Sequence, residues 1–168
     1  KSEHALRLLA EDTSIEFEDL VMGQQSQNIA SQCGDFVIRR RDGLFAYHLA
    51  VVVDDHLQNI TEVVRGADLL DSTPRQIYLQ QLLGYSTPGY CHLPLAVDAT
   101  GNKISKSDGA ARVEIKNREN LLRHVLEFLG QRPPADLCDA NISEIWKWAI
   151  EHWNISLVSA TKKIPLHT

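Results

Sequence analysis

The sequence predicts an α/β fold in which a parallel sheet follows an antiparallel insertion at the N-terminal side and precedes a small helical C-terminal appendage. Residues 60–97 have a strand–helix–strand order, which is typical of parallel pairing. Short strand candidates fill residues 1–45, and helical patterns fill residues 113–168. We therefore expect three parts: a strand-rich segment at 1–45, an α/β segment at 46–112, and a helical segment at 113–168.

The N-terminal part contains three strand candidates, at residues 5–10, 14–22 and 35–40. The pair Asp42-Gly43 follows the third and is a strong turn signal. In the second candidate the alternation of apolar and polar residues is imperfect. One face of it carries Ile15, Phe17 and Asp19.

The middle part is expected to alternate strands and helices. Residues 44–55 fit either a strand, because of their valines, or a buried helix. A strand at 60–65 precedes a helix that Thr73 can cap, with Pro74 as its first residue. Residues 90–97 form the next strand. The apolar stripe and the end of the helix are Leu79, Leu82, Leu83 and Gly84.

The C-terminal part follows a polar segment, 98–111, that lacks apolar periodicity and therefore indicates a loop. Helices are predicted at 120–129, where Gly130 stops the first, and at 142–153. We expect the tail at 162–168 to fray. The second helix is expected to bury Ile145, Trp146, Ala149 and Trp153, with Trp148 at the side.

Composition excludes several classes of protein. The 168 residues carry a net charge of −5, which is not typical of a simple nucleic-acid-binding domain. No stretch approaches the roughly 20 apolar residues that span a bilayer, so no membrane partner is expected. The widely spaced Cys33, Cys91 and Cys138 support neither a disulfide framework nor a metal site. We expect a cytoplasmic monomer with reduced thiols.

The pentapeptide Lys103-Ile104-Ser105-Lys106-Ser107 is the sharpest chemical signal in the sequence. Its two ammonium groups, flanked by hydroxyls and glycines, suit a mobile clamp for phosphate groups. Taken alone, such a pentapeptide more often marks a solvated surface loop.

The stretch 43–107 resembles the catalytic core of the class I glutamyl- and glutaminyl-tRNA synthetases. The resemblance rests on five segments in the family's order, and it implies part of a class I synthetase catalytic domain with a Rossmann-like fold. The segments are YHLAVVVDD at 47–55, ITEVVRGADLL at 60–70, STPRQ at 72–76, HLPL at 92–95 and the pentapeptide at 103–107, which stands where the family has its KMSKS loop.

Within this family, RRRDGLFAYHLAVVVDDH at 39–56 and VVRGADLL at 63–70 look most like the glutamyl-queuosine tRNA(Asp) synthetases, which are truncated paralogues of glutamyl-tRNA synthetase. This resemblance implies that L-glutamate is activated with ATP and Mg²⁺ and transferred to the queuosine base of tRNA(Asp). Ordinary glutamyl-tRNA synthetases continue into an anticodon-binding region. Because the chain ends at Thr168, we expect the truncated type, although a cut before such a region would give a similar length.

The resemblance assigns the glutamate-binding role to Tyr47 and Arg65. An arginine offers a planar fork for a carboxylate, and a tyrosine adds a hydroxyl donor. Without the resemblance, Arg65 would fit a surface ion pair and Tyr47 a packed aromatic residue.

Other roles concern ATP and tRNA. Lys106, assisted by Lys103, is the expected catalytic residue on the ATP phosphates, and Ser105 and Ser107 bind phosphate or shape the loop. His92 either borders the ATP site or packs as a structural histidine. The basic run is expected to contact the tRNA backbone or to form a solvated surface, and it consists of Arg39, Arg40 and Arg41.

Three features of the family have no counterpart in this sequence. They are the His-x-Gly-His-type motif, an early arginine and glutamate that bind the substrate, and the cysteine-rich zinc site. We therefore expect that the chain lacks the first half of the Rossmann-like domain and is weak or inactive as a catalyst by itself.

Two other functions stay open on the sequence alone. The chain fits a fragment of a conventional glutamyl-tRNA synthetase, which charges a tRNA 3′ end and is expected to need tRNA to activate glutamate. It also fits a non-catalytic module that binds tRNA or a partner protein.

Overall fold

The structure is a computed structural model that describes residues 4–104 and 117–166. Contacts group the chain into two compact units, Lys1–His92 and Leu93–Thr168. Both units contain helices and strands, as the predicted α/β class requires. The predicted three-part division at residues 45 and 112 stays a prediction.

In its described residues, 4–92, the first unit contains six strands and two α-helices. The helices are α1 (Tyr47–Leu57) and α2 (Thr73–Leu83). The strands are β1 (Leu6–Leu8), β2 (Ser14–Asp19), β3 (Gly23–Asn28), β4 (Phe36–Arg39), β5 (Glu62–Gly66) and β6 (Gly89–Leu93).

The main sheet of the first unit has the strand order β3-β2-β6-β5. Strand β2 pairs with β3 in antiparallel fashion, from Ser14 opposite Asn28 to Asp19 opposite Gly23. It pairs with β6 in parallel, with Asp19 opposite Tyr90. Parallel pairing is therefore present, and it includes a strand from the segment that was expected to be an antiparallel insertion.

Strand β3 is absent from the sequence prediction. Its sequence, GQQSQN, is polar throughout and has no apolar alternation, so nothing local indicates a strand. It forms because every residue of β2 pairs with it. A π-helical turn at Ile29–Cys33 follows and buries Ile29 completely. The core of this unit combines Ile15, Ile29, Ile77, Tyr78 and Tyr90.

Helix α1 settles the ambiguity at residues 44–55. The valines favour a strand by propensity, but the segment folds as a helix that packs against α2 and buries Val52. Tertiary packing therefore overrides local preference here.

Two details predicted for α2 are wrong. Thr73 is not the N-cap, because the helix continues directly from a 3₁₀ helix at Ala67–Ser72, and the Thr73 hydroxyl lies 3.3 Å from the Leu69 carbonyl. Leu82 and Leu83 are exposed, since the buried face lies nearer the start of the helix. Its buried residues are Thr73, Pro74, Gln76, Ile77, Tyr78, Leu79 and Gln80. The helix ends at Gly84, as predicted.

The part of the second unit that the structure describes, 93–104 and 117–166, contains two strands and two α-helices. They are β7 (Leu95–Val97), α3 (Arg118–Phe128), α4 (Ile142–His152) and β8 (Lys163–Pro165). The strand predicted at 90–97 is divided into β6 and β7 at Pro94, because proline has no N–H group to donate to a sheet.

The predicted fraying of the tail is wrong for residues 163–165. Strand β8 pairs in parallel with β7, with Leu95 opposite Lys163 and Val97 opposite Pro165. The Leu166 N–H donates to the Val97 carbonyl at 2.9 Å. This long-range pairing gives the tail hydrogen-bond partners that its own sequence does not reveal.

The buried face of α4 also differs from the prediction. Ile145 and Ala149 are buried, and Trp148 packs against this cluster, whereas Trp146 is 52% exposed. Residues 145, 148 and 149 lie on one face because a helix repeats every 3.6 residues. Asn141 begins the helix through a capping box with Glu144.

Gly130, which follows α3, is required by its surroundings. Its φ is 76°, and a Cβ atom at this position would overlap the Leu157 carbonyl oxygen. We expect Gly130→Ala to lower the free energy of unfolding by about 3 kcal/mol. An alanine is strained in the left-handed backbone conformation, and its Cβ atom overlaps neighbouring atoms. Gly101→Ala is the matched control in the same unit, because its φ is 82° but nothing lies within 4 Å of the added Cβ. Equal losses for both variants in urea unfolding would contradict this account.

Within the described ranges, no helix combines the length and the apolar character that crossing a membrane requires.

Candidate functional site

Arg65, the fourth residue of β5, lies at the centre of the candidate site. Its Nε donates to His92 Nε2 at 3.0 Å, and its Nη2 donates to Thr73 Oγ1 at 2.7 Å. Nη2 also lies 3.5 Å from the Leu69 carbonyl oxygen, and the guanidinium lies 5.4 Å from the centre of the Tyr90 ring. The guanidinium is therefore fixed on one edge by the protein.

The other edge of Arg65 has no hydrogen-bond partner among the described residues, because the hydrogen bonds of this side chain use Nε and Nη2. The residue is only partly buried. A guanidinium held on one edge can present its remaining N–H groups to a carboxylate or a phosphate.

Behind Arg65 lies a buried pair, Asp19 and His92. The His92 ring is fully buried and Asp19 is 2% exposed. His92 Nδ1 lies 2.6 Å from Asp19 Oδ2, and the His92 N–H donates to Asp19 Oδ1 at 3.2 Å. Asp19 Oδ1 also accepts from the Val21 and Met22 N–H groups at 3.1 and 2.9 Å. Asp19 thus closes the turn after β2 and contacts His92 on β6.

The protonation state of this pair follows from its surroundings. Burial alone would raise the pKa of Asp19, but hydrogen bonds from the Met22 N–H, the His92 ring and other backbone groups hold it below its usual value. Burial also lowers the pKa of His92, despite the opposing effect of Asp19. At neutral pH the pair is an ionised carboxylate beside a neutral imidazole.

We expect the first unit to lose stability as the pH falls from about 7 to about 5.5, where unperturbed histidines titrate. The folded-state pKa of His92 lies below its unfolded value, so the unfolded chain binds more protons and acidification favours unfolding. His48 acts in the same direction, because burial, Arg75 and Arg65 lower its pKa.

The measurement is urea unfolding at a series of pH values for the wild type, His92→Gln and His48→Gln. Each variant should show a shallower decrease in stability over this range. An unchanged slope in both variants would contradict the assignment.

His48, the second residue of α1, lies within electrostatic range of Arg65, and Tyr47 precedes it. The centres of their rings are 5.4 Å apart, and Tyr47 is 54% exposed. Arg65 and Arg75 both act electrostatically on His48, which places His48 within range of both. His48 Nδ1 and Arg75 Nε are buried without a hydrogen-bond partner in the described residues. The joint binding of glutamate by Tyr47 and Arg65 stays a prediction.

His92 has the geometry of a residue that holds Arg65. Both ring nitrogens lie within hydrogen-bond distance of protein groups, and the side chain has no exposed surface. Its expected contact with ATP stays a prediction.

The polar segment predicted as a loop at 98–111 begins, in the second unit, with an ordered turn. The Asp98 side chain accepts hydrogen bonds from the Thr100 and Asn102 N–H groups, both at 2.9 Å. The backbone of Lys103 forms an antiparallel β-bridge with that of Val97. The other predicted phosphate-binding residues, Ser105, Lys106 and Ser107, lie outside the described residues, and their roles stay predictions.

The basic run lies at the end of β4 and in the turn after it. Arg40 forms an exposed ion pair with Asp42 at 2.7 Å. Arg39 Nε donates to the Gly43 carbonyl at 3.2 Å, and its guanidinium lies 6.0 Å from the centre of the Phe45 ring. Arg41 is exposed. The contact of this run with tRNA stays a prediction.

Sequence reasoning did not identify Asp19 or Thr73 as site residues. One signal was present for Asp19, because a carboxylate on the same strand face as Ile15 and Phe17 needs a partner when that face is buried. Thr73 was read only as a helix cap.

Among residues 4–104 and 117–166, no group of three or more His, Cys, Asp or Glu side chains is arranged to hold a metal ion.

Comparisons with known proteins identify relatives of this chain. A family model described as "tRNA synthetases class I (E and Q), catalytic domain" matches residues 1–133. A Pseudomonas fluorescens protein named Glutamyl-Q tRNA(Asp) synthetase is 48% identical over 161 residues, which cover 96% of this chain and 54% of the relative. A Methylococcus capsulatus protein of the same name is 49% identical over 162 residues, with coverages of 96% and 54%.

A solved structure of glutamate-tRNA synthetase from Elizabethkingia anophelis superposes with a TM-score of 0.67 at 25% identity. The superposition covers 93% of this chain and 35% of the Elizabethkingia anophelis chain. The chain spans about half the length of the curated relatives it matches. These findings confirm the predicted resemblance and the predicted fold class. The chain belongs to the family of class I tRNA synthetases for E and Q, as part of the catalytic domain.

Proposed function

We propose that this chain supplies part of the active site of a ligase that activates L-glutamate with ATP and transfers it to the queuosine base of tRNA(Asp). The observation that carries the proposal is the 45–50% identity to proteins named Glutamyl-Q tRNA(Asp) synthetase along nearly the whole chain. The described site supports the amino-acid half of this activity, because Arg65 has an edge free for a carboxylate.

The charges around Arg65 suit an amino acid. Arg65 can bind a substrate carboxylate through its open edge, and Tyr47 is exposed on the neighbouring helix. Asp55 lies within electrostatic range of Arg65 and supplies a negative group for an ammonium. Burial raises the pKa of Asp55, and Arg65 opposes this effect. The site therefore offers both charges that a zwitterionic substrate requires.

The proposed reaction has two steps. A glutamate carboxylate oxygen attacks the α-phosphorus of ATP, and pyrophosphate leaves. A queuosine hydroxyl oxygen then attacks the glutamyl carbonyl carbon, AMP leaves, and the hydroxyl proton is lost. In this scheme Arg65 orients the glutamate, while Lys106 and Lys103 neutralise the departing pyrophosphate, with Mg²⁺ entering as the ATP complex.

The test measures transfer of labelled glutamate to tRNA(Asp) by the chain mixed with the N-terminal part of the Pseudomonas fluorescens relative that precedes the matched region. Two substrates separate the possible acceptors: queuosine-containing tRNA(Asp) that lacks its 3′-terminal adenosine, and intact tRNA(Asp) without queuosine. Labelling of the first and not of the second is expected.

The reverse pattern would indicate conventional charging of a 3′ end and would contradict the proposal. No labelling of either tRNA, together with unchanged binding of tRNA after Arg65→Ala, would favour a non-catalytic module. Glutamate-dependent exchange of pyrophosphate into ATP by the 168-residue chain alone would contradict the expectation that it is inactive by itself.

A further inference from the structure

A series of hydrogen bonds that begins at the buried side chain of Asp19 supports Arg65. Asp19 Oδ2 lies 2.6 Å from His92 Nδ1, and His92 Nε2 lies 3.0 Å from Arg65 Nε. Asp19 and His92 are 73 residues apart in the sequence and meet only because β2 and β6 are neighbours in the sheet. Asp19 is 2% exposed and His92 has no exposed surface, so water does not replace either partner.

The donors and acceptors in this series of hydrogen bonds are compatible with only one tautomer of His92. An arginine Nε can only donate, so His92 Nε2 must be the acceptor. The proton of a neutral imidazole then lies on Nδ1, where the Asp19 carboxylate accepts it. The contacts with Asp19 and Arg65, at opposite ends of the ring, require the same tautomer, and the Thr73 hydroxyl, 3.1 Å from Nε2, is compatible with it because a hydroxyl can donate.

We propose that Asp19 is a positioning residue for Arg65 and acts through the tautomer that it imposes on His92. The inference rests on the proposed function in so far as Arg65 binds a glutamate carboxylate. Asp19 itself does not reach the substrate. It keeps His92 Nε2 unprotonated, so that Arg65 is held by Nε and Nη2 and presents its other edge.

The two oxygens of Asp19 have different partners, which makes asparagine an informative replacement. Oδ1 accepts from the N–H groups of Val21, Met22 and His92 at 3.1, 2.9 and 3.2 Å. In Asp19→Asn the amide oxygen should keep these three bonds, which leaves the NH₂ group facing His92 Nδ1. That group donates, so the His92 proton moves to Nε2, where it faces the Arg65 Nε–H and can donate instead to Thr73 Oγ1, 3.1 Å away.

The tautomer can be read directly by long-range ¹H–¹⁵N correlation spectra of the 168-residue chain labelled at histidine and arginine. The wild type should show His92 protonated on Nδ1 and a protected Arg65 Nε–H. Asp19→Asn should move the proton to Nε2 and shift or broaden the Arg65 signal. We expect the affinity for L-glutamate to fall about tenfold to a hundredfold.

A double-mutant cycle tests the route through His92, because His92→Leu removes both ring nitrogens. In a His92→Leu background Asp19→Asn should therefore change glutamate affinity by less than about threefold beyond the effect of His92→Leu alone. Asp35→Asn is the matched control in the same unit. The Asp35 carboxylate also accepts from a backbone N–H, that of Ala10, but contacts no ring.

Several outcomes decide the proposal. A wild-type His92 that is protonated on Nε2 overturns it, even if Asp19→Asn fails to fold. An unchanged His92 tautomer and Arg65 signal in folded Asp19→Asn also overturn it, and so does an equal loss of affinity in both backgrounds. Because the spectra are recorded without ligand, a tautomer change without any glutamate binding would support the positioning role and contradict the proposed function.

Discussion

Replacing Arg65 by lysine should lower the affinity for L-glutamate by about thirtyfold or more, which corresponds to roughly 2 kcal/mol. A lysine cannot donate to His92 Nε2 and Thr73 Oγ1 and still offer a planar fork to a carboxylate. It also removes the Nε–H that donates to His92 Nε2, which leaves that buried nitrogen to the Thr73 hydroxyl, 3.1 Å away.

Saturation-transfer NMR with L-glutamate measures this effect. Arg40→Lys is the control, because Arg40 is an exposed arginine of the same unit whose partner is Asp42. It should leave the affinity for glutamate unchanged. A loss below about threefold for Arg65→Lys would mean that Arg65 does not bind the substrate.

The second large effect concerns the core of the second unit. Ile145 on α4 has no exposed surface and packs with Leu126 and Ala149. We expect Ile145→Ala to lower the free energy of unfolding by about 3–4 kcal/mol, because removing the side chain loses burial and leaves a cavity.

Ile150 lies on the same helix but is 76% exposed, so Ile150→Ala should change the stability by less than about 0.5 kcal/mol. Urea unfolding followed by tryptophan fluorescence measures both variants. If the two losses were similar, the packing of α4 described above would be incorrect.

The sequence predicted the parts of the fold that carry local signals. Strand β5, the α2 end at Gly84 and the two C-terminal helices follow from periodicity and from helix-end residues. Strands β3 and β8 could not be predicted in this way. One is uniformly polar, the other is only three residues long, and both exist through pairing with distant strands.

The same contrast between local signals and long-range contacts applies to the residues of the candidate site. Arg65 and Tyr47 could be predicted as site residues from their motifs, because a motif is local. Asp19 was not, since its partner lies 73 residues away and only the strand order brings the two together. The tryptophans of α4 show a smaller error, because Trp146 was placed on the buried face although Trp148 is three residues from Ile145 and shares its side of the helix.

The central claim is that Arg65 binds a carboxylate of L-glutamate. The most direct measurement follows the Arg65 Nε–H resonance while the chain is titrated first with L-glutamate and then with a diamide analogue that lacks both carboxylates. We expect a saturable shift with L-glutamate and a much smaller one with the diamide. An Arg65 resonance that stays fixed while signals elsewhere respond to L-glutamate, or that responds equally to both compounds, would contradict the claim.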